Sequence, residues 1–430
     1  MRSIALVTLL LASISINAQV SKVESKIVKA IDANEAASVE LLKKLVNMNS
    51  GTMNFEGVKA VGDVLVEEFK KLGMDAKMVP GNAFGRAGHL IATNNGKKGP
   101  KIMMIGHLDT VFEPSSPFQE YTMVNDSIMR APGVADMKGG NVIILLALKG
   151  LKEAGLLDKM TIEVVMTGDE ERSGSPLELS KKALKDAAER ADIALGFENA
   201  DGKPKTIVTS RRGSAGWELK VEGNAAHSSQ IFTDKVGVGA IYEASRILNA
   251  FYKELSTEEN LTFNPGTILG GTDVAYDDSK SGGSAYGKTN VVAKDVIVKG
   301  DIRAVSLEQL DKAQKIMTEI VSKNYPGTKA TLTFDPGGYP PLGVTDGNKQ
   351  LLSMYDEVSK SLGYGSVTAV NPRNAGAADV SFTAGLVDMA VDGLGLSGAD
   401  DHTVNETGNL NMLPVQAKRA ALLMYRLTKK

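Results

Sequence analysis

The sequence predicts an α/β protein: a central, mostly parallel sheet covered by helices and interrupted by an inserted α+β unit. Three observations carry this reading. Short, turn-bounded apolar runs alternate with helical patterns up to residue 211. Residues 212–336 change to a strand–helix–strand–strand–helix–strand order, the split βαβ arrangement, and helix–strand alternation resumes from Lys349.

Taken in order, apolar residues recur at helical spacing from Val20 to Met48, as in Ile27, Ile31, Leu41, Leu42 and Leu45. A second helical pattern runs from Val58 to Leu72 and stops before Gly73. Ala87–Thr93, Lys101–Ile105, Thr161–Met166 and Asp192–Phe197 are short apolar runs suited to buried strands. Val142, Leu145, Leu146 and Leu148 mark a helix closed by Gly155, and Leu177–Arg190 marks another. Within the insert, strands are expected at Ser214–Glu222, Leu261–Leu269, Asp295–Arg303 and Lys329–Phe334, and helices at Val236–Tyr252 and Leu307–Ser322. The Gly- and Ser-rich stretch Asp277–Gly287 reads as a mobile loop, and Pro336 to Pro341 mark the return to the first domain. The last strand is expected at Leu386–Val391 and the closing helix at Val415–Leu427. No internal repeat is present.

Composition narrows the function. The 430 residues carry 49 Lys plus Arg against 51 Asp plus Glu, a net charge of −2, which excludes a basic nucleic-acid binder. At 43% hydrophobic and 23% charged residues, the chain can bury a core, so intrinsic disorder is excluded as well. Residues 1–18 read as a signal peptide: Arg2, an apolar run from Ile4 to Ala12 too short to span a bilayer, and the small residue Ala18 at the cleavage point. The mature chain would begin at Gln19, exported to the periplasm or medium, with no membrane segment remaining. With no Cys, any metal must be held by His and carboxylates.

Those residue types gather where ligands collect in open α/β sheets, at the carboxyl ends of strands. Lys101–Ile105 leads into Gly106-His107-Leu108-Asp109, Thr161–Met166 into Gly168-Asp169-Glu170-Glu171, and Asp192–Phe197 into Glu198. Asp136 sits in the Gly-rich turn Pro132–Gly140 before a helix, and Asp400-Asp401-His402 follows the last strand. Any one of these could be a helix cap or a solvated loop residue; five segments together form a ligand set suited to zinc or a similar ion, sufficient for two ions sharing a carboxylate. The H-x-D spacing lets Asp109 reach the back of the His107 ring and fix its tautomer. Glu170 and Glu171, being adjacent, divide the work: one can ligate while the other takes a proton from water.

These motifs resemble the M20 family of co-catalytic zinc peptidases, in its glutamate carboxypeptidase branch, over nearly the whole chain after residue 18. The most specific are Gly106–Phe112, Gly133–Gly140, Gly168–Glu171 and His402, joined by Ala225-Ala226-His227-Ser228 in the insert. The resemblance implies a zinc-exopeptidase-like catalytic domain over 19–211 and 337–430, with a ferredoxin-like lid over 212–336 through which the chain forms a homodimer. It implies two Zn2+ per chain, with Asp136 bridging, Glu171 and His402 on one ion, His107 and Glu198 on the other, and Glu170 as general base. His227 would reach a neighbouring active site across the dimer, and Arg303, with Asn290 beside it, would hold a substrate carboxylate. The substrate implied is a small peptide cleaved next to its C-terminal amino acid, or alternatively an N-acyl amino acid cleaved by the same site. Glutamate-releasing members carry an Arg just after the last strand of the lid, where this chain has Gly337-Gly338-Tyr339-Pro340-Pro341. The Gly-Gly-Thr-Asp loop of several members is here Ala375-Gly376-Ala377-Ala378-Asp379, without the Thr.

Three rival readings are weaker. Gly393–Gly398 matches G-x-G-x-x-G but leads into Ala399-Asp400-Asp401-His402, not into an apolar helix, so a dinucleotide fingerprint fails in context. No G-x-S-x-G serves a serine hydrolase. A non-catalytic binding protein on this fold would be expected to lose its base, yet Glu170 is present.

Overall fold

The computed structural model describes residues 20–429; the signal peptide expected at 1–18 lies outside them. Helix α1 (Lys22–Val46) starts at a capping box, Ser21 accepting the Glu24 N–H and Glu24 accepting the Ser21 N–H. It is followed by α2 (Phe55–Lys71), β1 (Asp75–Pro80), β2 (Gly88–Asn95), β3 (Lys98–His107), α3 (Gly139–Glu153), β4 (Met160–Thr167), α4 (Lys182–Arg190) and β5 (Ile193–Gly196). The expected helix over 177–190 is broken: a short turn, Leu177–Ser180, ends at Lys181, whose side chain turns inward to two buried aspartates. Strand β1 was absent from the sequence expectation because its mixed, half-exposed pattern has no apolar run.

The insert forms its own four-stranded antiparallel sheet. Strand β6 (Ala215–Gly223), α5 (Ala240–Leu255), β7 (Thr262–Gly271), β8 (Asp295–Arg303), α6 (Leu307–Val321) and β9 (Thr328–Phe334) assemble with sheet order β7-β8-β6-β9. Alternate residues Trp217, Leu219 and Val221 of β6 pack with Ala244, Ile247 and Phe251 of α5 and with Met317 of α6, giving the lid a separate core. The Gly/Ser-rich stretch is not a loop: Asp273–Asp277 pairs antiparallel with Gly282–Tyr286 as a hairpin. Glycine and serine concealed the strand pattern there, although nothing bars them from an exposed ladder.

The chain then returns through α7 (Asp346–Ser361), β10 (Met389–Val391) and α8 (Met412–Leu427). The main sheet has the order β1-β2-β4-β3-β5-β10; β4, β3, β5 and β10 are mutually parallel, and β1 and β2 add antiparallel at one edge. Helices cover both faces, which is why Ile102 to Ile105 are all buried: Ile102 and Met104 face α3 and α8, while Met103 and Ile105 face α4. No helix among the described residues is long and apolar enough to cross a membrane.

Candidate metal centre and catalytic cleft

Because β4, β3 and β5 are adjacent and parallel, their carboxyl ends deliver three loops to one place: Glu170 and Glu171, His107 and Asp109, and Glu198. Asp136 arrives from the turn before α3. That turn is held by Glu406, whose buried carboxylate accepts the N–H groups of Gly133 (2.9 Å), Ala135 (2.8 Å) and Asp136 (3.0 Å). Gly133 has φ +71°, a conformation that a side chain disfavours. His402 stands in the connection between two short paired strands, Gly398–Ala399 and Thr407–Asn409. The second of these also pairs with Ile128–Arg130, tying the His402 segment to the Asp136 side of the site.

The G-x-G run at 393–395 is structural. Its backbone lies against the segment carrying Glu198, with Gly395 N–H donating to Glu198 O at 2.9 Å, and a Cβ at Gly395 would fall 2.1 Å from Phe197 O. No helix follows it; Gly398–Ala399 is a strand.

Asp136 is the centre of the cluster. Its Oδ1 lies 2.9 Å from His107 Nε2, which is also 3.4 Å from Glu198 Oε1. Its Oδ2 lies 3.0 Å from His402 Nε2, which is also 3.2 Å from Glu171 Oε2. Two groups of potential ligand atoms therefore share Asp136: His107, Asp136 and Glu198, and then Asp136, Asp401 and His402. Asp401 was not among the expected ligands, although it adjoins His402.

Electrostatics show a site short of positive charge. Burial pushes the Glu198 carboxyl up to about 7, with the Asp136 charge adding to it, and burial followed by Asp136 also raises Glu171. Hydrogen bonds to Asp136 and Glu171 push the His402 imidazole up to about 11. For Asp136 itself burial acts upward, but the two imidazoles outweigh it and hold the carboxyl well below the usual range. Although burial acts the other way on His107, the carboxylates crowding both imidazoles raise their proton affinity, and a bound cation answers the same need.

Asp109 supports this cluster more fully than the spacing predicted. His107 Nδ1 lies 3.0 Å from the Asp109 backbone carbonyl and 3.4 Å from its Oδ1. The same carboxylate accepts the Thr52 hydroxyl (2.7 Å) and the backbone N–H groups of Glu170 (3.1 Å) and Glu171 (3.2 Å). Asp109 thus orients the His107 ring and fixes the loop carrying both glutamates. Burial, first among its causes, raises the proton affinity of Glu170 well above that of an ordinary carboxyl.

A cleft of about 500 Å³ opens over the cluster. It is lined by Asp136, Glu170, Glu171, Glu198 and His402 together with Arg211, Ser214, Arg303, Tyr339 and Asn374. Arg211 is already committed, to Asp392 (2.8 Å) and to Gly376 O (2.9 Å). Arg303 lines the cleft while its Nε donates to Asp301 at 2.9 Å, so it is both an ion-pair residue and a cleft residue. His227 and Asn290 lie together on the lid, outside the lining of the cleft: Asn290 O accepts the Ser228 N–H at 2.9 Å. His227 is exposed, with Nδ1 accepting the Ser229 N–H at 3.3 Å and lying 2.8 Å from the Ser229 hydroxyl. The fourth histidine, His89, is a buried structural group bound to Ser180 O and to the Gly168 N–H.

Fold and site together define a two-domain hydrolase of the metal-dependent kind. The chain belongs to the peptidase family M20/M25/M40, which matches residues 103–426. It is 26% identical to carboxypeptidase G2 of Pseudomonas sp. (strain RS-16) over 94% of this chain and 93% of that one. It is 28% identical to succinyl-diaminopimelate desuccinylase of Hydrogenovibrio crunogenus over 65% of this chain and 70% of that one. In fold it is similar to aminopeptidase PepT of Bacillus cereus, with a TM-score of 0.72 and 21% identity, covering 92% of this chain and 99% of that one.

Proposed function

We propose that the chain is a dinuclear zinc exopeptidase that cleaves the amide bond next to the C-terminal amino acid of a small peptide. The observation that carries this reading is the division at Asp136, where each carboxylate oxygen faces a different His–Glu pair. The donor set fits divalent ions: imidazole and carboxylate without thiolate suit zinc, and Glu171 Oε1 is buried with no hydrogen-bond partner. On this reading His107 and Glu198 would hold one ion and Glu171 and His402 the other, with Asp401 within reach and Asp136 available to both. Ions bound there would supply Lewis acidity toward the scissile carbonyl and make water nucleophilic at neutral pH.

The chain's own residues supply the rest. Glu170 accepts a proton from the attacking water as the oxygen–carbon bond forms, then returns it to the leaving nitrogen as the carbon–nitrogen bond breaks. Its raised proton affinity favours taking the proton from water. Arg303, in the lining of the same cleft, receives the substrate's terminal carboxylate, with Asn290 approaching from the lid. His227 carries its proton on Nε2, because Nδ1 accepts from Ser229. Delivered from the partner lid of a homodimer, that Nε2–H can donate to the developing oxyanion. The amino-terminal pattern of residues 1–18 supports export, which N-terminal sequencing of native protein starting at Gln19 would test.

A second reading, hydrolysis of N-acyl amino acids, is favoured by the likeness to a desuccinylase and by the absence of an Arg from Gly337–Pro341, the segment where glutamate-releasing members carry one. Turnover of alanyl-alanine, alanyl-glutamate and N-acetylalanine by zinc-loaded protein separates the two. The exopeptidase reading predicts that the dipeptides are preferred, and a preference for N-acetylalanine would replace it.

A further inference from the structure

Glu170 is gripped by its backbone on both sides. Its N–H donates to Asp109 Oδ1 at 3.1 Å, and its carbonyl accepts the Tyr339 hydroxyl at 3.0 Å. Asp109 belongs to the core of the catalytic domain, but Tyr339 does not: it lies on the segment returning from the lid. There Ser214 N–H donates to Tyr339 O at 2.9 Å, and Arg211 and Leu342 exchange two backbone hydrogen bonds at 3.0 Å each. The outgoing and returning chains therefore pair as a two-stranded neck, and Tyr339 is the neck residue whose side chain reaches the loop of Glu170.

The phenol is held in turn. Its ring packs against Phe382, with centroids 4.9 Å apart, and the Lys181 ammonium lies 5.4 Å from its centre. That ammonium is buried between Asp379 Oδ1 (3.0 Å) and Asp169 Oδ1 (3.2 Å), while Ser173 Oγ lies 3.2 Å from the Tyr339 oxygen. Asp379 Oδ1 is the competing acceptor for the phenolic proton, but at 3.4 Å it is the poorer one and already serves Lys181. Burial keeps the phenol neutral far into the alkaline range, so it remains a donor. No hydrogen bond or ion pair joins Lys181, Asp379 or Tyr339 to the five-residue cluster around Asp136, and a buried ion pair of this kind needs a reason to be retained.

We propose that Tyr339 is a positioning residue: its hydroxyl fixes the carbonyl of Glu170, and its place in the neck makes the setting of the general base depend on the orientation of the lid. The inference rests on Glu170 being the base. Displacing the base by about an ångström costs on the order of a hundredfold in rate with binding little changed.

The test is Tyr339→Phe, which removes the hydroxyl and keeps the ring on Phe382. It is assayed with alanyl-alanine or N-acetylalanine, whichever wild type hydrolyses faster. The expected result is a fall in kcat of roughly ten- to a hundredfold with KM within about twofold and with zinc content and melting temperature unchanged. In the Glu170→Gln background the same substitution should have no further effect, because Tyr339 acts through Glu170. Wild-type kcat for Tyr339→Phe, or a raised KM and lowered melting temperature without loss of kcat, overturns the positioning role and leaves the base assignment standing. Full activity in Glu170→Gln overturns the base assignment itself.

Discussion

The buried carboxylate of Glu406 accepts the backbone N–H of Asp136 at 3.0 Å across 270 residues of sequence. Since Glu406 ends the segment carrying His402, this bond locks together the two halves of the cluster. Glu406→Ala strips the acceptor from three backbone N–H groups. Each buried donor left unpaired costs about 1–3 kcal/mol, so zinc affinity should fall at least about tenfold without loss of any ligand. Competition with a chromophoric chelator measures this, and unchanged affinity would show that the turn holds without Glu406.

The adjacent glutamates should separate cleanly. Glu170→Gln is expected to keep wild-type zinc content and to lose roughly 10²- to 10⁴-fold in turnover, the usual worth of a positioned base. Glu171→Gln should lose zinc first, because Glu171 faces His402 at 3.2 Å. Equal zinc contents in the two variants would contradict this division.

His227 lies on the inserted unit, outside the lining of the cleft, so the role proposed for it requires a partner subunit. His227→Ala and Glu170→Ala, each inactive alone, should recover activity when mixed, because one of the two sites in a heterodimer has both an intact base and a donated His227. About one site's worth per heterodimer, half the activity of a two-site wild-type dimer, is expected. Failure to recover, with subunit exchange demonstrated, would place any action of His227 within its own chain.

Stability at high pH should report Tyr355. Burial pushes its phenol up to about 12, and its hydroxyl donates to Gln416 at 3.0 Å. Between the unfolded value near 10 and the folded value, the unfolded chain binds fewer protons, so stability falls as pH rises through that window. The loss amounts to about 3 kcal/mol at most by pH 12. Urea midpoints of wild type and Tyr355→Phe, compared from pH 9 to 12, should show the wild-type loss to be steeper; parallel curves would refute the assignment.

How much was legible in sequence follows from what each residue needs. His107, Glu170, Glu171 and Glu198 stand at the ends of apolar strands, and strand ends can be read locally. The supports could not be read that way. Glu406, Asp392, Thr52 and the Lys181–Asp379–Tyr339 group act through hydrogen bonds and ion pairs to groups distant in sequence, backbone and side chain alike, and nothing near them in sequence records the partner. The same limit explains the hairpin over 273–286, where pairing is set by the facing strand and not by side-chain pattern. Asp401 had a signal, its place beside His402, but in sequence a carboxylate in a loop reads first as solvated.

Two ions sharing Asp136 are what the proposed function requires for activity. Protein stripped by a chelator and titrated with zinc, with bound metal and hydrolysis of alanyl-alanine and N-acetylalanine followed together, tests this requirement most directly. Activity should be absent in the stripped protein and reach its maximum at two ions per chain, with Asp136→Asn failing to bind either ion tightly. Full activity after stripping, or a maximum at one ion per chain, would contradict it.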